Sequence, residues 1–122
     1  MAYKTTKKDF AEFKAECNRW IEYFGLIGWE VSYQIDTDNS CRGSCMADLD
    51  SGIVILGFGN EFAQTPDRFE IKRVAFHEVC ELLLSPMRIL GQSRYISEEE
   101  MGSQRHCVIN ILQNTIFKEK TK

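Results

Sequence analysis

The sequence predicts an α+β fold spanning residues 1–122 as a single domain: an N-terminal helix, a small three-stranded sheet with a hairpin, a helix bearing a polar cluster, and a C-terminal helix packed against it. Three observations carry that prediction. Apolar residues recur at spacings of three and four from Phe10 to Phe24, alternate singly from Trp29 to Ile35, and return to helical spacing in two later segments. At 122 residues the chain can bury one core without a disulfide or metal staple, and no repeat, linker or low-complexity tract divides it.

The first helix opens at Thr6, with Asp9 three residues on as an imperfect capping partner. Phe10, Phe13, Cys17, Trp20, Ile21 and Phe24 form its stripe, and Gly25 ends it. Trp29, Val31, Tyr33 and Ile35 then alternate with Glu30, Ser32 and Gln34, the period of a half-buried strand. Asp36 to Arg42 is polar and turn-rich, so a loop is expected. Gly43 to Leu49 and Ile53 to Phe58 flank the turn Asp50-Ser51-Gly52 and predict a hairpin. Because Ile53 to Leu56 is apolar at successive positions, this strand is expected to be covered on both faces or to lie beside the main helix.

Thr65-Pro66 supplies a capping hydroxyl followed by proline at the first helical position, which starts the second helix there. Ser85-Pro86 ends it or kinks it into a short extension through Leu90. Gly91 to Ile96 reads as a loop, and Ser97-Glu98-Glu99-Glu100 as a capping box for the last helix. Met101, Val108, Ile109, Leu112 and Ile116 define its buried side.

Composition narrows the function. The net charge is -3 and the fifteen basic residues are dispersed, so neither a nucleic-acid stripe nor an acidic DNA mimic is indicated. No apolar run reaches the roughly eighteen residues of a transmembrane helix. The N-terminus enters an amphipathic helix without the apolar core of a signal peptide, so a cytoplasmic location is expected. Of five cysteines, Cys17, Cys80 and Cys107 fit helical patterns as small buried thiols, and reduced thiols suit that compartment.

The most informative stretch runs from Arg73 to Leu84, where His77, Glu78 and Glu81 interrupt an apolar helical run. Positions i and i+4 share a helix face. His77 and Glu81 can therefore offer a nitrogen and an oxygen to one cation. Glu78, about 100° further round, is placed to act as general base on a metal-bound water. The commoner arrangement is HExxH, with two histidines on the metal; here Glu81 stands in the second position. The remaining histidine, His106 on the last helix, is the expected third ligand. Gly102, one turn before it, costs about 1 kcal/mol relative to alanine, which close approach of a helix or an ion would explain. Two nitrogens and one carboxylate is an established composition for hydrolytic zinc. Another divalent ion also suits a carboxylate-containing set.

Other readings of the same residues stay open. His77 can be a core histidine bonded to a backbone carbonyl, with Glu81 paired to an arginine and Glu78 in solvent. Against this, carboxylates among Val74, Phe76, Val79, Leu82, Leu83 and Leu84 are costly to bury unpaired, and a cation would compensate them. His77 and Cys80 with His106 or Cys107 would make a closed structural site, although adjacent His106 and Cys107 point about 100° apart. Cys41 and Cys45 have CxxxC spacing without a second pair. Glu98, Glu99 and Glu100 are candidate third ligands, but capping and the helix dipole already account for them. Arg94 and Tyr95 are candidate transition-state stabilisers.

Together these residues and the order of elements resemble a small zincin-like metallopeptidase domain of the HExxH type, the minimal kind often encoded by phages and mobile elements. The resemblance runs from Phe24-Gly25-Leu26 through Trp29-Glu30-Val31 and Ile53 to Phe58, then to Ala75-Phe76-His77-Glu78 and the Ser97 to Phe117 helix. It implies His77 as first ligand and Glu78 as general base. Glu81 departs from the family's second histidine, and His106 has no fixed counterpart in the common motif. It also implies an edge strand above the active-site helix that takes substrate peptide as an added strand, matched here to Ile53, Val54, Ile55 and Leu56. The expected function is zinc-dependent hydrolysis of a peptide or protein. The competing expectation is a non-catalytic protein-binding module on the same fold, with a vestigial metal site; a metal serving folding alone is a third. Neither nucleic acid nor membrane is an expected partner.

Overall fold

In the computed structural model, which describes residues 2–37, 42–92 and 98–120, the chain is α+β. A short strand, β1 (Tyr3–Lys4), leads into α1 (Lys7–Tyr23). The capping box is complete: Asp9 N–H donates to Thr6 Oγ1 and Thr6 N–H to Asp9 Oδ2, both at 3.1 Å. Phe13, Cys17 and Trp20 on α1 are fully buried. The helix ends at Phe24, and Gly25 follows with φ 66°, the left-handed conformation in which glycine meets no Cβ penalty.

Three strands form the main sheet: β2 (Glu30–Asp36), β3 (Gly43–Asp48) and β4 (Ile53–Gly59), in the order β2-β4-β3. The expected hairpin joins β3 to β4, with Asp48 opposite Ile53, Met46 opposite Ile55 and Gly43 opposite Phe58. β2 runs parallel to β4 in the register Glu30 to Ile53 through Asp36 to Gly59. A second strand pair, β1 with β5 (Glu61–Phe62), was not anticipated; it joins the N-terminus to the chain after β4. The central position of β4 corrects one expectation. Its two edges are both paired, so Ile53, Val54, Ile55 and Leu56 cannot accept a peptide as an added strand. Of the two arrangements expected of its apolar run, β4 lies beside the main helix and is not covered on both faces: Val54 and Leu56 are fully buried while Ile53 is 40% exposed.

The second helix, α2 (Arg68–Leu83), starts later than the Thr65-Pro66 signal implies. Asp67 is the actual cap: its backbone is extended and its carboxylate accepts from Glu70 N–H at 2.7 Å. After Leu84 the chain turns into α3 (Ser85–Gln92), which extends past Leu90 and takes in Gly91 and Gln92, both expected in a loop. The last helical region comprises α4 (Glu98–Leu112), a π-helical turn at Gln113–Phe117 and α5 (Lys118–Lys120). Cys41, Arg94, Tyr95 and the Ser97 cap lie outside the described residues.

The core sits where α1, the inner face of the sheet and the C-terminal region close on α2. Trp20 and Phe76 meet edge to face at 4.6 Å, Phe13 and Phe58 at 4.8 Å, and Phe76 and Phe117 at 5.2 Å. Ile109, Gln113 and Phe117, each four residues apart, give the C-terminal region its buried line. Val108, one position off that line, is 42% exposed and so is not part of it. Cys17 and Cys80 are buried as expected, but Cys107 is exposed, on the same solvent side as Val108. Among the described residues no helix is long and apolar enough to cross a membrane.

Candidate functional site

α2 is buried on most of its circumference, with Ile71, Val74, Ala75, Phe76, Val79 and Leu82 in the core. Packing of Phe76 and Val79 fixes the helix rotation. His77 and Glu81 are thereby left on the flank that faces α4. His77 Nε2 lies 3.5 Å from Glu81 Oε2, and His106 Nε2, arriving from α4, lies 3.6 Å from the same oxygen. The two imidazoles stack, with centroids 5.3 Å apart. Thus the structure brings together His77, Glu81 and His106, whose ligand atoms all lie within 4.8 Å of one another.

This donor set can be tested against the geometry of zinc. Ligand atoms bonded at about 2.0–2.1 Å in a tetrahedron stand about 3.3 Å apart. The two contacts to Glu81 Oε2 are close to that separation, and the half-exposed His106 ring has room to adjust. Glu81 Oε1, the other oxygen, is taken by Arg105 Nε at 2.5 Å. The carboxylate is therefore paired in charge with a guanidinium on one side and presented to two imidazoles on the other. Such outer partners of a ligand fix its geometry. Sequence reasoning left Arg105 unnamed; its position next to His106 on the same helix was the available signal.

Glu78 does not face solvent. It is 7% exposed beneath β3, where a Cβ on Gly43 would lie 2.8 Å from Val74 Cγ1 and 3.0 Å from Glu78 Oε2. Only glycine lets the strand cross so near. Burial raises the Glu78 pKa to about 7; His77 opposes it, and the neighbouring carboxylates Glu81 and Asp36 add to it. That is the range in which a carboxyl both takes and returns a proton near neutrality. Burial also pushes Glu81 upward, but His77 and Arg105 outweigh it and hold the carboxylate below its ordinary pKa. The same Glu81 contact, opposed by burial, raises that of His77.

Two cavities flank Glu78. One of about 310 Å³ is bounded by Gly43, Arg73, His77 and Gln113; the other, of about 140 Å³, by Cys45, Ser85, Arg88 and Arg105. Cys80 is buried in the core and takes no part in the cluster, which leaves the closed cysteine-containing site without its sulfur. Glu98 and Glu99, on the exposed first turn of α4, are likewise outside it. Gly102 is not at a close approach: an added Cβ would meet only Arg105 Nη2, at 3.9 Å.

No family model, curated protein or solved structure matches the chain.

Proposed function

We propose that the protein is a zinc-dependent hydrolase of the zincin-like metallopeptidase kind, with His77, Glu81 and His106 as metal ligands and Glu78 as general base. The observation that carries this reading is the convergence of two imidazoles and one carboxylate oxygen, from two helices, beside a buried carboxyl group. When bound, zinc supplies a Lewis acid and brings the pKa of a coordinated water to about 7.

The chain's own residues do the rest. Glu78 accepts a proton from the attacking water and returns it to the leaving amine, a task suited to its pKa of about 7. Arg105 holds the Glu81 carboxylate in register with the histidines. The role of peptide-binding edge passes from β4 to β3, which is unpaired on its outer side among the described residues and crosses directly over Glu78. A cytoplasmic setting, in which thiols stay reduced, belongs to the same proposal.

Elemental analysis of protein purified without an affinity tag, together with a peptidase assay on wild type and Glu78→Gln, tests it. One zinc per chain in both, with turnover only in wild type, is the expected result; no stoichiometric metal in either would refute it. The second reading is a non-catalytic protein-binding module. Arg105 favours it, because a guanidinium already compensates Glu81 without a metal. That reading predicts no turnover and no stabilisation by zinc.

A further inference from the structure

We propose that the cavity of about 310 Å³ beside His77 is a carboxylate-recognition pocket, which takes an acidic side chain or the terminal carboxylate of a peptide. Arg73 is its charge partner, and Gln113 and Asn110 are its amide donors. The proposal rests on the reading of this cleft as a substrate site and names the chemistry of that substrate.

Two groups in the lining are left free by the described residues to contact a ligand. Arg73, one helical turn before His77, is exposed and pairs with no carboxylate among the described residues, whereas Arg42 at the same cavity is committed to Glu70. Gln113 is 9% exposed, and its side-chain amide has no hydrogen-bond partner among the described residues. The amide is open to the cavity, where a ligand oxygen can take the place of water. Gln113 also opens the π-helical turn, a backbone irregularity that recurs at functional sites.

Charge decides the ligand class. Arg42 and Glu70 cancel, so among the described lining residues Arg73 is the arginine left over at the opening. The opposing carboxyl, Glu78, is buried beneath Gly43. An anion therefore finds its partner at the mouth of the cavity and not at its floor. The guanidinium fork matches a carboxylate through two parallel N–H···O bonds. The volume lies at the small end of ligand pockets, about 300–1,000 Å³, and suits one side chain with its flanking backbone.

The test is an NMR titration of the full chain with three probes: acetyl-Ala-Glu-Ala-amide, its glutamine counterpart, and acetyl-Ala-Ala-Ala with a free carboxyl terminus. Each is run in chelator and again with zinc. At least one carboxylate probe is expected to bind about tenfold or more tightly than the glutamine peptide. Arg73→Ala, at an exposed position, should erase that preference, and Gln113→Leu should weaken the carboxylate probe in a sample whose circular dichroism is unchanged. The stronger carboxylate probe separates side-chain from chain-end recognition. Equal binding of the glutamate and glutamine peptides in both conditions, no binding of any probe, or a preference that survives Arg73→Ala overturns the proposal. Since the chelator arm reads the pocket without metal, its failure is distinct from failure of His77, Glu81 and His106 to bind zinc.

Discussion

His77 and His106 stack with their ring planes 30° from parallel, although one belongs to α2 and the other to α4. Glu81 Oε2 lies within 3.6 Å of Nε2 on both rings. A local pair on one helix has thus become a three-donor cluster through a single helix contact. The consequences can be measured.

Zinc should raise the melting temperature, because a ligand that binds only the folded state stabilises it by about 2.7 kcal/mol at a hundredfold excess over Kd. His77→Ala and His106→Ala should each lose most of that rise, and Glu78→Gln should keep it. Thermal denaturation with zinc and with chelator reads this directly. An unchanged zinc response in His106→Ala would remove that residue from the ligand set.

Stability in chelator should fall as pH rises from 5 to 8. The Glu78 pKa is about 7 when folded, against 4.5 for the free group, so between those values the folded state binds more protons than the unfolded chain. The full shift corresponds to on the order of 3 kcal/mol. His77, also raised, acts in the same direction: its contribution is present below 6.5 and is lost as pH passes through its folded value. Glu81, lowered, contributes above 4.5 and loses that contribution only at more acid pH. In urea titrations Glu78→Gln should flatten most of the decline and exceed wild type in stability at pH 8. A wild-type profile that climbs over this range would contradict the assignment.

Gly43→Ala should damage the site more than the fold. Its Cβ would fall 2.8 Å from Val74 Cγ1 and 3.0 Å from Glu78 Oε2, so the carboxyl must move. Overpacking of this kind costs about 1–3 kcal/mol. The expected outcome is a folded variant with zinc response retained and peptidase turnover strongly reduced; undiminished turnover would show that the contact between strand and Glu78 does not matter.

Cys107 should react with a thiol reagent well before Cys17 and Cys80. It is exposed, whereas the other two are buried and burial pushes their thiol pKa values upward, to about 12 for Cys80. Mass spectrometry of peptides after brief alkylation checks the order, and early labelling of Cys80 would place α2 in a more open state than described.

Much of the local structure was legible in the residues. The Thr6–Asp9 box, the Phe13, Cys17 and Trp20 stripe, the hairpin from β3 to β4 and the shared face of His77 and Glu81 all follow from spacing within one element. Helical and strand periods report which side of an element is apolar, and these features need nothing more.

The contacts between elements were decided by the tertiary structure. Periodicity does not say which strand becomes the neighbour of which, so the edge expected of Ile53 to Leu56 belongs to β3, and β4 lies in the middle. Arg105 on Glu81, Gly43 over Glu78 and Gln113 at the cavity all join segments distant in sequence. The scarcity of histidine pointed to His106, but only the packing of α4 against α2 brought its ring to His77. Side-chain period is a local property of the backbone, while convergence depends on the path of the loops and on which hydrogen-bonding edges and apolar faces remain unpaired when the chain closes.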